Sequence, residues 1–174
     1  VTQEKNKMNI KRFKLDKPGE IDLVIPLLAS LEEKEVFGVI SAVEPGDYKV
    51  RVVADHKVPN TFGRIVIKGV VANGARVTVD GMVKIAKGAR KTDSFLEMRI
   101  LLLDKQSSAV AEPKLEIENN EVKASHAATV GKIDEDQLFY LTSRGIDEPG
   151  AKKLIVAGFL KEAVGEGDTV TRGR

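Results

Sequence analysis

The run "RIVIKGVVANGA" (Arg64–Ala75) is followed without a break by "RVTVDGMVKIAKGA" (Arg76–Ala89) and then by Arg90. Each unit reads arginine, two β-branched residues two positions apart, a polar residue, glycine, a later valine and then Gly-Ala. The glycines recur at Gly69 and Gly81, and again at Gly74 and Gly88. Short strand, turn, short strand, turn at near-constant spacing is what one turn of a β-solenoid requires, because each rung must cover its neighbour's backbone and aliphatic ladder. Two amphipathic hairpins of an ordinary sandwich would read the same way. On these two units alone the sandwich is the simpler account.

The same texture extends on both sides. From about Ile21 to Ile117 the chain offers "DLVIPLLA", "VFGVISAV", "YKVRVVA", "GRIVIKGVV", "RVTVDGMVKI" and "MRILLL", all rich in aliphatic and β-branched residues. They are separated by turn chemistry, "EPGD", "VPNTFG", "ANGA" and "AKGA".

After Gly131 the character changes. Asp134 with Gln137 three residues on reads as a capping box with Asp in place of Ser or Thr. "EDQLFYLTSR" then carries an apolar stripe at Leu138 and Leu141, and Gly145 is a natural stop. Asp147 can cap a second helix with Pro149 in its first turn. In that helix Ala151, Leu154, Ile155, Gly158 and Phe159 fall on one expected buried stripe. The expected organisation is an N-terminal segment able to flex (1–20), a β core (21–131), a helical region (132–164) and a disordered tail (165–174).

Composition narrows the function. The 174 residues suit one domain, 42% hydrophobic and 31% charged, with no tryptophan. The core must therefore be mostly Val, Ile, Leu and Ala. A net charge of +2, with both signs interspersed, argues against nucleic acid and anionic membranes, which need a clustered basic face. No cysteine means no disulfide, thiol nucleophile or thiolate ligand from this chain. No segment reaches the roughly 20 apolar residues that span a bilayer, and the charged N-terminus lacks a signal-peptide core, so the expected location is cytoplasmic. No G-x-x-x-x-G-K-[ST] loop is present for ATP hydrolysis.

The stretch from Pro113 to Val164 resembles the C-terminal segment of the SufB/SufD family of iron–sulfur cluster assembly scaffolds. The resemblance lies in "P-x-LEI" (Pro113–Ile117), "VKASHAATVG" (Val122–Gly131), "DQLFYL-x-SRGI" (Asp136–Ile146) and the spacing of Ala151, Leu154, Gly158 and Phe159. Upstream, "RKTDSF" and "ILLLDKQSSAVAEP" look like the family's last β rungs. The resemblance implies a mainly β fold, a parallel β-helix (β-solenoid) with a short C-terminal helical pair, in a shortened form. It implies a non-enzymatic scaffold subunit that pairs through its β-helix with a SufB-like paralogue or an identical chain. It also implies docking of a SufC-like ABC ATPase through the helices.

The resemblance places a cluster-ligating histidine at His126, and Thr92 where SufB has a cysteine; with Ala127 this looks closer to SufD. Any iron–sulfur cluster would be transient and shared with a partner, with no intrinsic cofactor. His126 is thus a candidate iron or cluster ligand, against a polar residue of the last rung. Phe139 and Tyr140 are expected first as packing of the helical cap. By resemblance they are, with Arg144, candidates for ATPase docking. Two rivals remain: a β-solenoid structural or binding module with no part in cluster assembly, and a metal-dependent enzyme using His126 with Glu116, Glu118 and Glu121. His56 is given no role.

Overall fold

The computed structural model describes residues 9–165. Nine strands and two helices follow one another along the chain. The strands are β1 (Asn9–Leu15), β2 (Gly19–Leu27), β3 (Glu33–Ala42), β4 (Asp47–His56), β5 (Phe62–Val71), β6 (Arg76–Ile85), β7 (Asp93–Leu102), β8 (Ser108–Ile117) and β9 (Lys123–Lys132). The helices are α1 (Glu135–Ser143) and α2 (Glu148–Val164).

Odd strands form one sheet, β1-β3-β5-β7-β9, and even strands the other, β2-β4-β6-β8, every neighbour parallel. The chain alternates between the two sheets at each corner, which makes a parallel β-solenoid of about four turns, β9 opening a further one. The units read at Arg64 and Arg76 are the two halves of one turn, β5 and β6. A full turn takes about 30 residues, as in the pairs Glu33–Phe62, Phe62–Asp93 and Asp93–Lys123.

Alternation supplies the core. In the odd sheet Val36, Ile65 and Leu96 stack in register and point inward; in the even sheet Val50, Val79 and Ala111 do the same. The repeated glycines Gly69 and Gly81 are inward positions kept empty for neighbours. A Cβ on Gly69 would stand 2.8 Å from Ile100 Cδ1, and one on Gly81 would stand 2.8 Å from Leu96 Cδ2. The corners use left-handed residues, Leu31, Asn60 and Lys91 on one side and Asn73 on the other. Asn60 N donates to Arg90 O and Leu31 N to Asn60 O, so one corner is hydrogen-bonded from rung to rung.

Two parts of the sequence reading change, and a third falls outside the described residues. Within the lead expected at 1–20, Asn9–Leu15 form β1, which pairs with β3 and puts Phe13 and Leu15 against the core. A lysine in the inward row, Lys11, beside outward Arg12 and Lys14 hid that alternation. The tail expected at 165–174 lies outside the described residues from 166 onward. In α2 the buried stripe is Ala151, Leu160 and Ala163, while Leu154 is 53% exposed and Gly158 is exposed. That helix lies over the outer face of the odd sheet, where Val156, Phe159 and Leu160 cover Val39, Val70 and Leu101. The sheet therefore rotates the buried face away from the stripe read in isolation.

Both helix starts follow their caps. Asp134 accepts from the backbone N–H of Asp136 and Gln137, Asp147 accepts from Gly150, and Gly145 follows α1 at φ 87°.

Candidate functional site

The C-terminal end of the stack is where inward positions run out of cover. β8 and β9 each pair on one side only among the described residues. Their inward residues continue buried ladders but are themselves exposed or half-buried. Leu115 and Ile117 follow Val83 and Ile85, and Val130 follows Ile100. These ends place apolar side chains beside unpaired strand N–H and C=O groups, a combination suited to a second β surface.

His126 stands in the middle of β9, directly above Leu96 in the row Val36–Ile65–Leu96. Leu96 is sealed, but His126 is exposed because no further strand is stacked on it among the described residues. Its flanking inward residues are Ala124 and Ala128, which leave the imidazole room. Neutral imidazole is a competent ligand for iron, but one nitrogen does not make a site and no thiolate exists in this chain.

Glu116, Glu118 and Glu121 do not join it. Glu116 pairs with Lys84 at 3.1 Å, and Glu118 accepts from Lys87 N. No three His, Asp or Glu side chains among the described residues come together in a way that could hold a metal ion.

Thr92 lies one residue before β7 and is buried. Its hydroxyl donates to Ala89 O at 2.9 Å and contacts Thr61 Oγ1 at 3.1 Å. Behind Thr61 stands His56, also fully buried, with Nδ1 at 2.8 Å from Thr61 Oγ1 and Nε2 at 3.1 Å from Ser94 Oγ. Burial pushes this imidazole down to about 4, against a smaller opposing effect of Asp55. Sequence reasoning missed this cluster. Its members lie up to 38 residues apart and meet only once the rungs are in register.

The helical pair carries the other expected positions. Phe139 is 73% and Tyr140 56% exposed, so neither packs the cap as expected. The cause is that α1 buries no residue, and α2 alone lies on the sheet. The Arg144 guanidinium sits 5.1 Å from the Tyr140 ring centroid, a cation–π contact that presents both side chains together. No described helix is long and apolar enough to cross a membrane.

A two-sheet parallel solenoid with an uncovered end and a short helical pair defines a class of stacking proteins, and comparison with known proteins narrows it. Residues 25–159 match the family model of the SUF system FeS cluster assembly SufBD core domain, and the chain belongs to that family. Two similar relatives are iron-sulfur cluster assembly SufBD family proteins of Staphylococcus aureus and Staphylococcus haemolyticus. Each is 41% identical over 106 residues, covering 61% of this chain and 23% of the relative. The chain thus spans about a quarter of the length of the curated relatives it matches.

Proposed function

We propose that this chain is a non-enzymatic scaffold subunit of a SUF-type iron–sulfur cluster assembly complex, closer to SufD than to SufB. It pairs end to end through the β8–β9 end of its solenoid, with a SufB-like paralogue or with an identical chain. A SufC-like ABC ATPase docks on its C-terminal helices, and the setting is the cytoplasm. Family membership supports the process. The observation that carries the reading is the uncovered end itself, where Leu115, Ile117 and Val130 lie exposed in inward rows beside a free strand edge.

In this reading the iron–sulfur cluster is cargo. His126 contributes one nitrogen to it from the open end, and the thiolates come from the partner chain. Thr92 supplies no ligand, because its hydroxyl is turned into the Thr61 and Ala89 hydrogen bonds. Phe139, Tyr140 and Arg144 form the docking patch for the ATPase. An aromatic pair with one guanidinium, exposed on a helix that buries nothing else, has the composition of an interface hot spot.

The test is co-purification with the SufC-type ATPase of the same organism. Intact chain is compared with a Phe139→Ala/Tyr140→Ala double variant. Removing the helices outright is a poorer comparison, because α2 covers Val39 and Val70. Retention by the intact chain and loss by the double variant, both folded by circular dichroism, are expected. Failure of the folded intact chain to bind would leave a structural solenoid module as the better account.

A further inference from the structure

The His56 cluster is the one group of buried polar side chains bridging three successive rungs among the described residues, and the scaffold reading makes no use of it. His56 ends β4, Thr61 precedes β5, Thr92 precedes β7 and Ser94 lies in β7. The imidazole occupies an inward row filled by Leu27 before it, and by Ile85 and Ile117 after it. An aliphatic side chain would continue that row. Gly63 makes room for the ring instead, since a Cβ there would come within 2.8 Å of Nε2.

One assignment of donors satisfies the Thr92, Thr61, His56 and Ser94 contacts together, while Thr61 and Ser94 also have backbone acceptors in Val58 O and Gly63 O. The Thr92 hydroxyl gives its hydrogen to Ala89 O, so the 3.1 Å contact with Thr61 needs Thr61 as donor. Thr61 then accepts from Nδ1–H of His56, and Nε2 is left to accept from the Ser94 hydroxyl. The neutral Nδ1–H tautomer satisfies every one of these bonds, and no buried side-chain nitrogen or oxygen among the described residues lacks a partner. A proton arriving at Nε2 would displace the Ser94 hydrogen. Ser94 would have to turn to Gly63 O, 3.3 Å away, and a positive charge would sit in the core.

Little is present to balance that charge. The elements around the ring present Leu27, Ile85, Thr61, Gly63, Thr92 and Ser94, all uncharged. The charge acting on it is Asp55 of its own strand, already paired with Lys57 at 3.0 Å. Lys84 and Glu116 share the outer depression with Asp55 and pair with each other.

We propose that His56 is a proton-controlled latch: protonation at Nε2 releases the corner that ties three rungs together, and with it the β9 edge. The link to β9 is direct, because Lys123 N donates to Thr92 O at 2.8 Å. This inference does not depend on the scaffold reading.

The test uses the full chain, wild type and His56→Leu, by amide hydrogen exchange at pH 7.5 and pH 4.5, corrected for intrinsic exchange. The leucine restores the aliphatic row, and Ser94 and Thr61 keep Gly63 O and Val58 O as acceptors. Local opening at Thr92 to Lys123 is expected to rise roughly a hundredfold in the wild type at the lower pH and to stay level in His56→Leu. Equal acid opening in both proteins overturns the latch. Should His56→Leu fail to fold, the wild-type ring is read by NMR, with His126→Ala assigning the second histidine. A ring neutral as its Nδ1–H tautomer at pH 5.5 supports the latch, and one titrating near 6.5 overturns it.

Discussion

His126 and Leu96 occupy the same inward row, one rung apart and in register, yet Leu96 is wholly buried while His126 is open to solvent. An imidazole placed where the core ends can serve a partner without costing the fold a buried polar group. The His126→Ala variant should therefore unfold within about 0.5 kcal/mol of the parent, as exposed substitutions usually do. It should also lower iron and cluster retention in a complex reconstituted with a cysteine-bearing partner. Thermal unfolding checks the first expectation, and visible absorbance with iron analysis checks the second. A variant that kept full cluster occupancy would remove His126 from the ligand set.

The helix-to-sheet contact rests on charge as well as apolar cover. Glu162 of α2 meets Arg64 at 2.6 Å and Lys68 at 2.9 Å, and Lys68 is buried on the sheet face. Replacing Glu162 with Gln leaves the Lys68 ammonium without its carboxylate. A loss of about 1–2 kcal/mol is expected, below the range for fully buried pairs because Glu162 is 40% exposed. The Lys68 hydrogen bond holds the Glu162 carboxyl below its ordinary value. Its contribution is therefore complete above pH 4.5, and it is lost as pH falls through the lower folded value. Urea unfolding of parent and variant at pH 7 and pH 3 should show the difference shrinking at the acid end.

His56 acts in the same direction but in a higher pH window. Its folded value is depressed to about 4 from 6.5, so the unfolded chain takes up the proton first as pH falls. Stability contributed by the neutral ring is complete above pH 6.5 and declines toward pH 4. Between those limits, parent stability should slope with pH by about one bound proton more than that of His56→Leu, as measured by urea unfolding across the range.

Gly69 lies between Ile40 and Ile100 in the inward face of β5. A methyl group there must displace Ile100 Cδ1 from 2.8 Å, and Ile40 Cβ at 3.3 Å blocks the other side. Gly69→Ala should cost about 1–3 kcal/mol through overpacking. Chemical denaturation reads it directly, and an unchanged midpoint would mean that the rung spacing gives way freely.

Lys91 adopts φ 55° at a corner where Asn60, one rung earlier, adopts φ 59°. Asparagine tolerates that region better than lysine, and Lys91 N already donates to Glu121 O, so the backbone is held. Lys91→Asn is expected to raise stability by about 0.5–1 kcal/mol. A lower melting temperature would show that the lysine side chain contributes more than its backbone strain removes.

Legibility differed from strand to strand. The runs that became β2 to β7 were plain because each is buried on at least one face, so aliphatics recur along it. β8 and β9 were harder. Pro113 sits within β8, which is tolerated because that strand is an edge, and β9 is built from Lys, Ser, Ala and Thr because its inward side is uncovered. The helix caps were readable at Asp134, Gly145 and Asp147, since capping is settled within a few residues. Which face of α2 is buried was not, because the outer face of the sheet at Val39, Val70 and Leu101 selects it.

By itself, then, the sequence determined a β-rich core and its helical pair from local periodicity and turn residues, and the parallel solenoid only through the family resemblance carried by a long stretch of matching motif. Only the tertiary structure decided that His126 is exposed and His56 sealed. Both histidines stand in inward rows, and the difference is whether another rung lies above them. That depends on a stacking register of about 30 residues, which no local window contains.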